Sequence, residues 1–171
     1  MLPASPVIPA LGFSLGARGQ MFSLDARHPN CLEPLKRPRT TLTPTPATRD
    51  GNPFLAFGSP RGDFQDQWAQ QFFLNVTEFG MSLHEAVEAP TFWTTDFPSS
   101  FFPRAAEPGT VYAEGRIGAS VRSALRALGH LVNEAGAWTG GNTLAASVDP
   151  LTGVLSGAAS PRMDAAYAAA F

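Results

Sequence analysis

The residues best suited to chemistry in this sequence lie on either side of Asp50-Gly51. Before it stand two adjacent hydroxyls, Thr40 and Thr41; after it comes the loop Gly58-Ser59-Pro60-Arg61-Gly62. Asp-Gly between runs of β-forming residues is a strong short-range hairpin signal. With that turn, facing residues have numbers adding to about 101, by the register logic of hairpins. Thr43 is then expected opposite Gly58, and Thr40 and Thr41 beside Arg61 and Pro60. The segment from Asp63 to Gly80 reads as a helix, with Asp63 as its N-cap. Backbone N–H groups at a helix start, beside a guanidinium, suit an anion or a developing oxyanion. Threonine hydroxyls add hydrogen bonds suited to a carboxylate. The same pattern also fits an ordinary strand–loop–helix connection.

The remaining elements must hold that corner. Residues 1–39 read as an irregular leading segment, rich in proline and glycine, with Met21-Phe22-Ser23-Leu24 as a short strand. Trp68, Phe72 and Phe79 form a helical stripe, closed by Gly80. Ser82-Leu83-His84-Glu85 is a capping box opening a short helix that stops at Pro90. Residues 91–112 are aromatic and proline-rich and read as a buried loop with one strand near Val111. A third helix is expected over Ile117–Leu128, its apolar face formed by Ile117, Val121, Leu125 and Leu128. His130-Leu131-Val132 reads as a strand, and Leu144–Val148 with Val154–Ala158 as a last hairpin. Elements come in clusters, not in regular βαβ alternation, which favours an α+β fold of antiparallel sheet with helices packed on it.

A chain of 171 residues with 44% hydrophobic and 15% charged residues fits one globular domain, 1–171. Its net charge of −2 gives no electrostatic footprint for nucleic acid or an anionic membrane. The single cysteine, Cys31, excludes an internal disulfide and reads as an incidental thiol. His28, His84 and His130 are too scattered for metal-ligand spacing, so neither metal nor cofactor is expected. No apolar run approaches the ~20 residues of a membrane-spanning helix. The proline-broken start Met1-Leu2-Pro3-Ala4-Ser5-Pro6 does not read as a signal peptide, so a cytoplasmic location is expected. Arg61-Gly62-Asp63 and Asn75-Val76-Thr77 spell adhesion and glycosylation triplets. The first is expected to be half buried and the second lies mid-helix.

With these segments placed, nearly the whole chain resembles the C-terminal part of the small subunit of γ-glutamyltransferases. The resemblance is carried by Leu11-Gly12-Phe13 with Arg18-Gly19-Gln20-Met21-Phe22, and by Lys36-Arg37-Pro38-Arg39-Thr40-Thr41-Leu42-Thr43-Pro44. It continues in Asp50-Gly51-Asn52-Pro53, Phe57-Gly58-Ser59-Pro60-Arg61-Gly62-Asp63, Gly80-Met81 with Glu85-Ala86-Val87-Glu88-Ala89-Pro90, and Asp149-Pro150-Leu151-Thr152-Gly153 before Ser160-Pro161-Arg162. It implies an N-terminal-nucleophile hydrolase αββα sandwich, here a partial one. It also implies a threonine nucleophile, freed by self-cleavage, whose α-amine serves as base. That threonine attacks the γ-glutamyl amide of glutathione or a similar compound, and the acyl group passes to water, an amino acid or a peptide.

Carried over by position, Thr40 and Thr41 bind the substrate α-carboxylate, and the Arg61 and Gly62 N–H groups form the oxyanion hole. Arg18 falls where the family has a substrate-contacting polar residue. Arg61 replaces a glycine, which is strained if the loop needs φ > 0 there. The resemblance puts the nucleophile, and a large-subunit partner, upstream of this sequence. The chain alone is therefore expected to be inactive and to expose an apolar edge that binds a partner or self-associates. The alternative is an inactive remnant, at most a ligand- or protein-binding module.

Overall fold

The Asp50-Gly51 turn forms as expected: both residues have positive φ, 51° and 80°, the pattern of a type I′ turn. It joins β3 (Thr45–Arg49) to β4 (Asn52–Gly58). The computed structural model in which this is seen describes residues 6–162 and 166–169. It resolves into two units, one of residues up to Thr41 with Ser99–Ala105, the other of Leu42–Pro98 with the chain from Ala106 onward.

In the second unit a four-stranded antiparallel sheet has the order β3–β4–β8–β9, with β8 at Leu144–Val148 and β9 at Leu155–Ala159. Alternation puts Leu55, Phe57, Ala145 and Ala158 on one buried face. Against that face pack Ala69 and Phe72 of α1 (Gln65–Thr77) and Ala86 and Val87 of α2 (Leu83–Glu88). The Phe57 and Phe72 rings lie 5.2 Å apart. Each large apolar side chain buried here contributes about 1.5–3 kcal/mol. A bulge between Ala47 and Thr48 shifts the hairpin by one residue, and the ladder begins at Thr45 with Phe57. The expected Thr43–Gly58 pair is therefore not part of the sheet, and Thr40 and Thr41 lie outside the ladder.

A three-stranded sheet completes this unit: β5 (Phe92–Thr94), β6 (Thr110–Glu114) and β7 (Leu131–Ala135). β5 is antiparallel to β6, but β6 and β7 run parallel, with α3 (Ala119–Ala127) as the crossover. Clustered elements pointed to antiparallel pairing, so this single βαβ unit is a departure. A parallel pair needs a crossover of a dozen or more residues, and the helix supplies it. None of the α3 residues is buried, and Val121 is half exposed. In the aromatic stretch Trp93 stacks on Tyr112 at 5.5 Å, whereas Phe97 is exposed rather than buried.

Two glutamines one turn apart on α1 hold β5 as a neighbouring strand would. Gln67 accepts from the Thr94 N–H at 2.8 Å and donates to its carbonyl at 3.0 Å. Gln71 does the same for Phe92, at 3.2 and 2.8 Å. Of the expected α1 stripe, Trp68 and Phe72 are buried but Phe79 is exposed, because the helix ends at Thr77.

The capping box of α2 is complete in both directions. The Ser82 backbone N–H, and next its hydroxyl, hold the Glu85 carboxyl below the usual carboxylate range. A lowered folded-state pKa means this cap stabilises fully above the ordinary glutamate value (~4.3) and is lost as pH falls through the lowered one. Glu85→Gln, which removes the titrating carboxyl, is expected to weaken α2 at neutral pH and to flatten the acid limb of a melting-temperature profile. An unchanged acid limb would contradict the linkage.

The first unit carries little regular structure. Strands β1 (Val7–Ile8) and β2 (Phe13–Ser14) form a two-residue ladder, and a 3-10 helix spans Ala17–Met21. The strand expected over Met21–Leu24 is absent: Met21 closes the 3-10 turn and is buried, and Ser23 makes one isolated bridge to Cys31.

Candidate active site

The first unit brings two of the expected residues together. Arg18, half-buried on the 3-10 helix, donates from Nη1 to Thr41 Oγ1 at 3.0 Å and to Met21 Sδ at 3.6 Å. Its guanidinium lies 5.9 Å from the centre of the Phe101 ring. Thr41 is buried and Thr40 exposed. A guanidinium with its planar fork of donors, set beside a hydroxyl, is suited to hold a carboxylate. Short 3-10 turns are common connectors, and this one sets Arg18 three residues before its buried anchor, Met21.

In the second unit the chain leaves β4 through Ser59-Pro60 and turns at two consecutive left-handed residues. Arg61 has φ 94° and ψ 59°, and Gly62 has φ 62°. A 3-10 turn, Gly62–Phe64, then leads into α1. Asp63 lies within that turn, so it is not the cap expected from the sequence; the residue ahead of α1 is Phe64. Gln65, 4% exposed, donates from Nε2 to the Gly62 carbonyl at 3.0 Å and accepts from the Thr43 hydroxyl at 3.4 Å. It thereby fixes the Gly62–Asp63 peptide plane. Sequence reasoning did not single out Gln65. Its signal is a glutamine where the glycine loop meets the helix.

Beneath the loop Phe64, Trp68 and Trp93 form an aromatic trio with ring centres 5.7–6.0 Å apart. Gly140 closes over it at φ 84°, where a Cβ would meet Trp68 Cζ2 at 2.9 Å. Only glycine fits that approach.

A left-handed arginine costs about 1–3 kcal/mol. Arg61→Gly removes that strain but frees the unfolded chain, a counter-effect of about 0.4–1 kcal/mol. A net gain of about 1 kcal/mol is expected, read as a melting temperature higher by about 2–4 °C. A lower melting temperature would mean that the Arg61 side chain contributes more than its backbone costs.

The Cys31 thiol donates to Glu33 at 2.8 Å, and that bond first, then burial, raises its pKa. A thiol held protonated is a poor nucleophile. Among the described residues no group of three His, Cys, Asp or Glu could hold a metal ion. None of their helices is long and apolar enough to cross a membrane.

Residues 3–170 match the family model described as Gamma-glutamyltranspeptidase. The chain belongs to this family. The glutathione hydrolase-like YwrD proenzyme of Bacillus subtilis (strain 168) is 32% identical over 158 residues, covering 91% of this chain and 29% of the proenzyme. The solved structure of LmbA2991HD shares 47% identity and superposes with a TM-score of 0.86, over 94% of this chain and 29% of that one. An acivicin-inhibited gamma-glutamyltranspeptidase is 26% identical with a TM-score of 0.75, over 96% of this chain and 90% of that one. The chain thus spans less than a third of the first two of these proteins and nearly all of the third. Its fold is α+β and forms part of an N-terminal-nucleophile hydrolase sandwich.

Proposed function

We propose that this chain is the C-terminal part of the small subunit of an enzyme that moves the γ-glutamyl group of glutathione, or a similar compound, to water or to an amine acceptor. The observation that carries this reading is the Arg18–Thr41 pair, a guanidinium bonded to a buried hydroxyl, at positions that the family resemblance assigns to substrate binding. In this reading Arg18, Thr40 and Thr41 hold the substrate α-carboxylate. The Arg61 and Gly62 N–H groups donate to the oxygen that becomes negative during attack. A threonine supplied from outside residues 1–171 attacks the γ-carbonyl. Its hydroxyl proton passes to its own α-amine and then to the departing amine, leaving a γ-glutamyl ester. Water or an acceptor amine repeats the attack and frees the threonine.

A large-subunit partner belongs to the same proposal. The outer face of the four-stranded sheet supports it. There Ala56, Ala146 and Gly157 lie in register, with Leu144 and Leu155 nearby, and all five are exposed. A second sheet, or a second copy of the chain, would cover such a face.

One observation favours a second reading, a module that binds γ-glutamyl compounds without turning them over: Arg61, strained, stands where the family resemblance implies glycine. A chromogenic γ-glutamyl anilide separates the two. Protein purified from its native source should release the anilide, and residues 1–171 produced alone should not. Binding without release by the native protein would favour the second reading, and turnover by residues 1–171 alone would contradict an external nucleophile.

A further inference from the structure

We infer that Ser99–Ala105 is a clamp that holds Arg18 in its working position, with Arg104 as the positioning residue; this rests on the reading of Arg18 given above. The segment lies far along the chain from the 3-10 turn, yet it contacts both arms of the Arg18–Thr41 pair. Towards the Arg18 arm, Arg104 donates from Nη2 to the Met21 carbonyl at 3.2 Å and to the Phe22 carbonyl at 2.8 Å. Those carbonyls end the 3-10 turn that carries Arg18, and the Met21 carbonyl also accepts from Asn30 Nδ2 at 2.8 Å. The Phe101 ring lies against the Arg18 guanidinium. Towards the other arm, Ser100, 4% exposed, accepts from Arg39, which directly precedes Thr40 and Thr41.

The segment is closed on itself, so it can act as one piece. The Ser99 N–H donates to the Ala105 carbonyl at 3.0 Å, and the Arg104 N–H to the Phe101 carbonyl at 2.7 Å. Arg104 adopts φ 61°, a left-handed conformation that a non-glycine residue keeps only when its surroundings over-determine it. Its guanidinium bonds are what those surroundings supply. Without them, the Met21 and Phe22 carbonyls at the end of the turn lose a donor from a segment distant in the chain, and the Arg18–Thr41 bond closes a long irregular loop with less support.

Arg104 reaches no reacting group, so its loss should appear as weaker substrate binding and a looser turn, not as a slower chemical step. In the native enzyme Arg104→Ala is expected to raise KM for a γ-glutamyl anilide about tenfold with kcat nearly unchanged, a loss of one binding contact's order. Arg104→Lys should recover part of it. Hydrogen exchange supplies a readout that needs no activity. In Arg104→Ala the amides of residues 22–32 should exchange at least about tenfold faster while those of α1 stay protected, which also shows that the variant folds. Unchanged exchange over 22–32 overturns the clamp. Unchanged KM in Arg104→Ala, where Arg18→Ala raises it, overturns the positioning role. If Arg18→Ala leaves KM unchanged, the reading of Arg18 fails instead, and the exchange result alone decides the clamp.

Discussion

Replacing Arg162 with methionine is expected to destabilise the second unit by about 3 kcal/mol, the lower end of the cost of breaking a buried ion pair, since Arg116 still reaches Glu114. The Glu114 side chain is fully buried and that of Arg162 is 1% exposed. Arg162 Nε donates to Glu114 Oε1 at 2.7 Å and Nη2 to Oε2 at 3.1 Å, a two-pronged pair. The same guanidinium donates to the carbonyls of Val87 at 2.6 Å and Ala89 at 2.7 Å, the last turn of α2 and the residue after it. A cation there also suits the negative end of the helix. One residue near the end of the described chain therefore ties α2 to β6. Methionine fills similar space but leaves Glu114 with Arg116 alone, and two carbonyls without a donor. The melting temperature should fall by about 10 °C. Arg162→Met combined with Glu114→Leu should lose less than Arg162→Met alone, because the stranded charge is then gone. A fall equivalent to under about 1 kcal/mol would mean that water reaches Glu114.

Arg18→Ala carries the second large effect, on activity. A hydrogen bond to a charged group is worth about 1.5–3 kcal/mol, so kcat/KM for a γ-glutamyl anilide should fall about 10–150-fold. The α-carboxylate is present in both substrate and transition state, so the loss should lie in KM. Arg18→Lys keeps the charge but not the planar fork, and should recover only part of it. Thr41→Val, which removes the hydroxyl that the Arg18 guanidinium donates to, should cost about tenfold or more, the weight of one charge-assisted hydrogen bond. A fall in kcat with unchanged KM would move Arg18 from binding into the chemical step.

Local chemistry was legible where a few neighbouring residues decide it. Asp50-Gly51 announces a turn because both positions must accept positive φ, and Ser82 with Glu85 announces a helix start because each satisfies the other's backbone. The bulge at Ala47 was not legible, because the turn residues set the pairing next to the turn but do not record an extra residue further along the strand. The parallel pairing of β6 with β7 and the Glu114–Arg162 bond join residues distant in sequence. No periodicity records such contacts. Gln67 and Gln71 carry no signal that sets them apart from other helical glutamines, yet they stand in for a strand. Arg18 entered through family resemblance alone; its position beside Thr41 depends on a 3-10 turn, Ala17–Met21, that no sequence signal announced.

The central claim, that Arg18 and Thr41 hold the substrate α-carboxylate, is tested most directly by one ratio: kcat/KM for a γ-glutamyl anilide divided by that for its α-carboxamide analogue, in native enzyme and in Arg18→Ala. A preference of about 10–150-fold for the free carboxylate is expected, from the charge-assisted bond, collapsing towards one in the variant. A preference that survives Arg18→Ala undiminished would contradict it, because the carboxylate would then be held elsewhere.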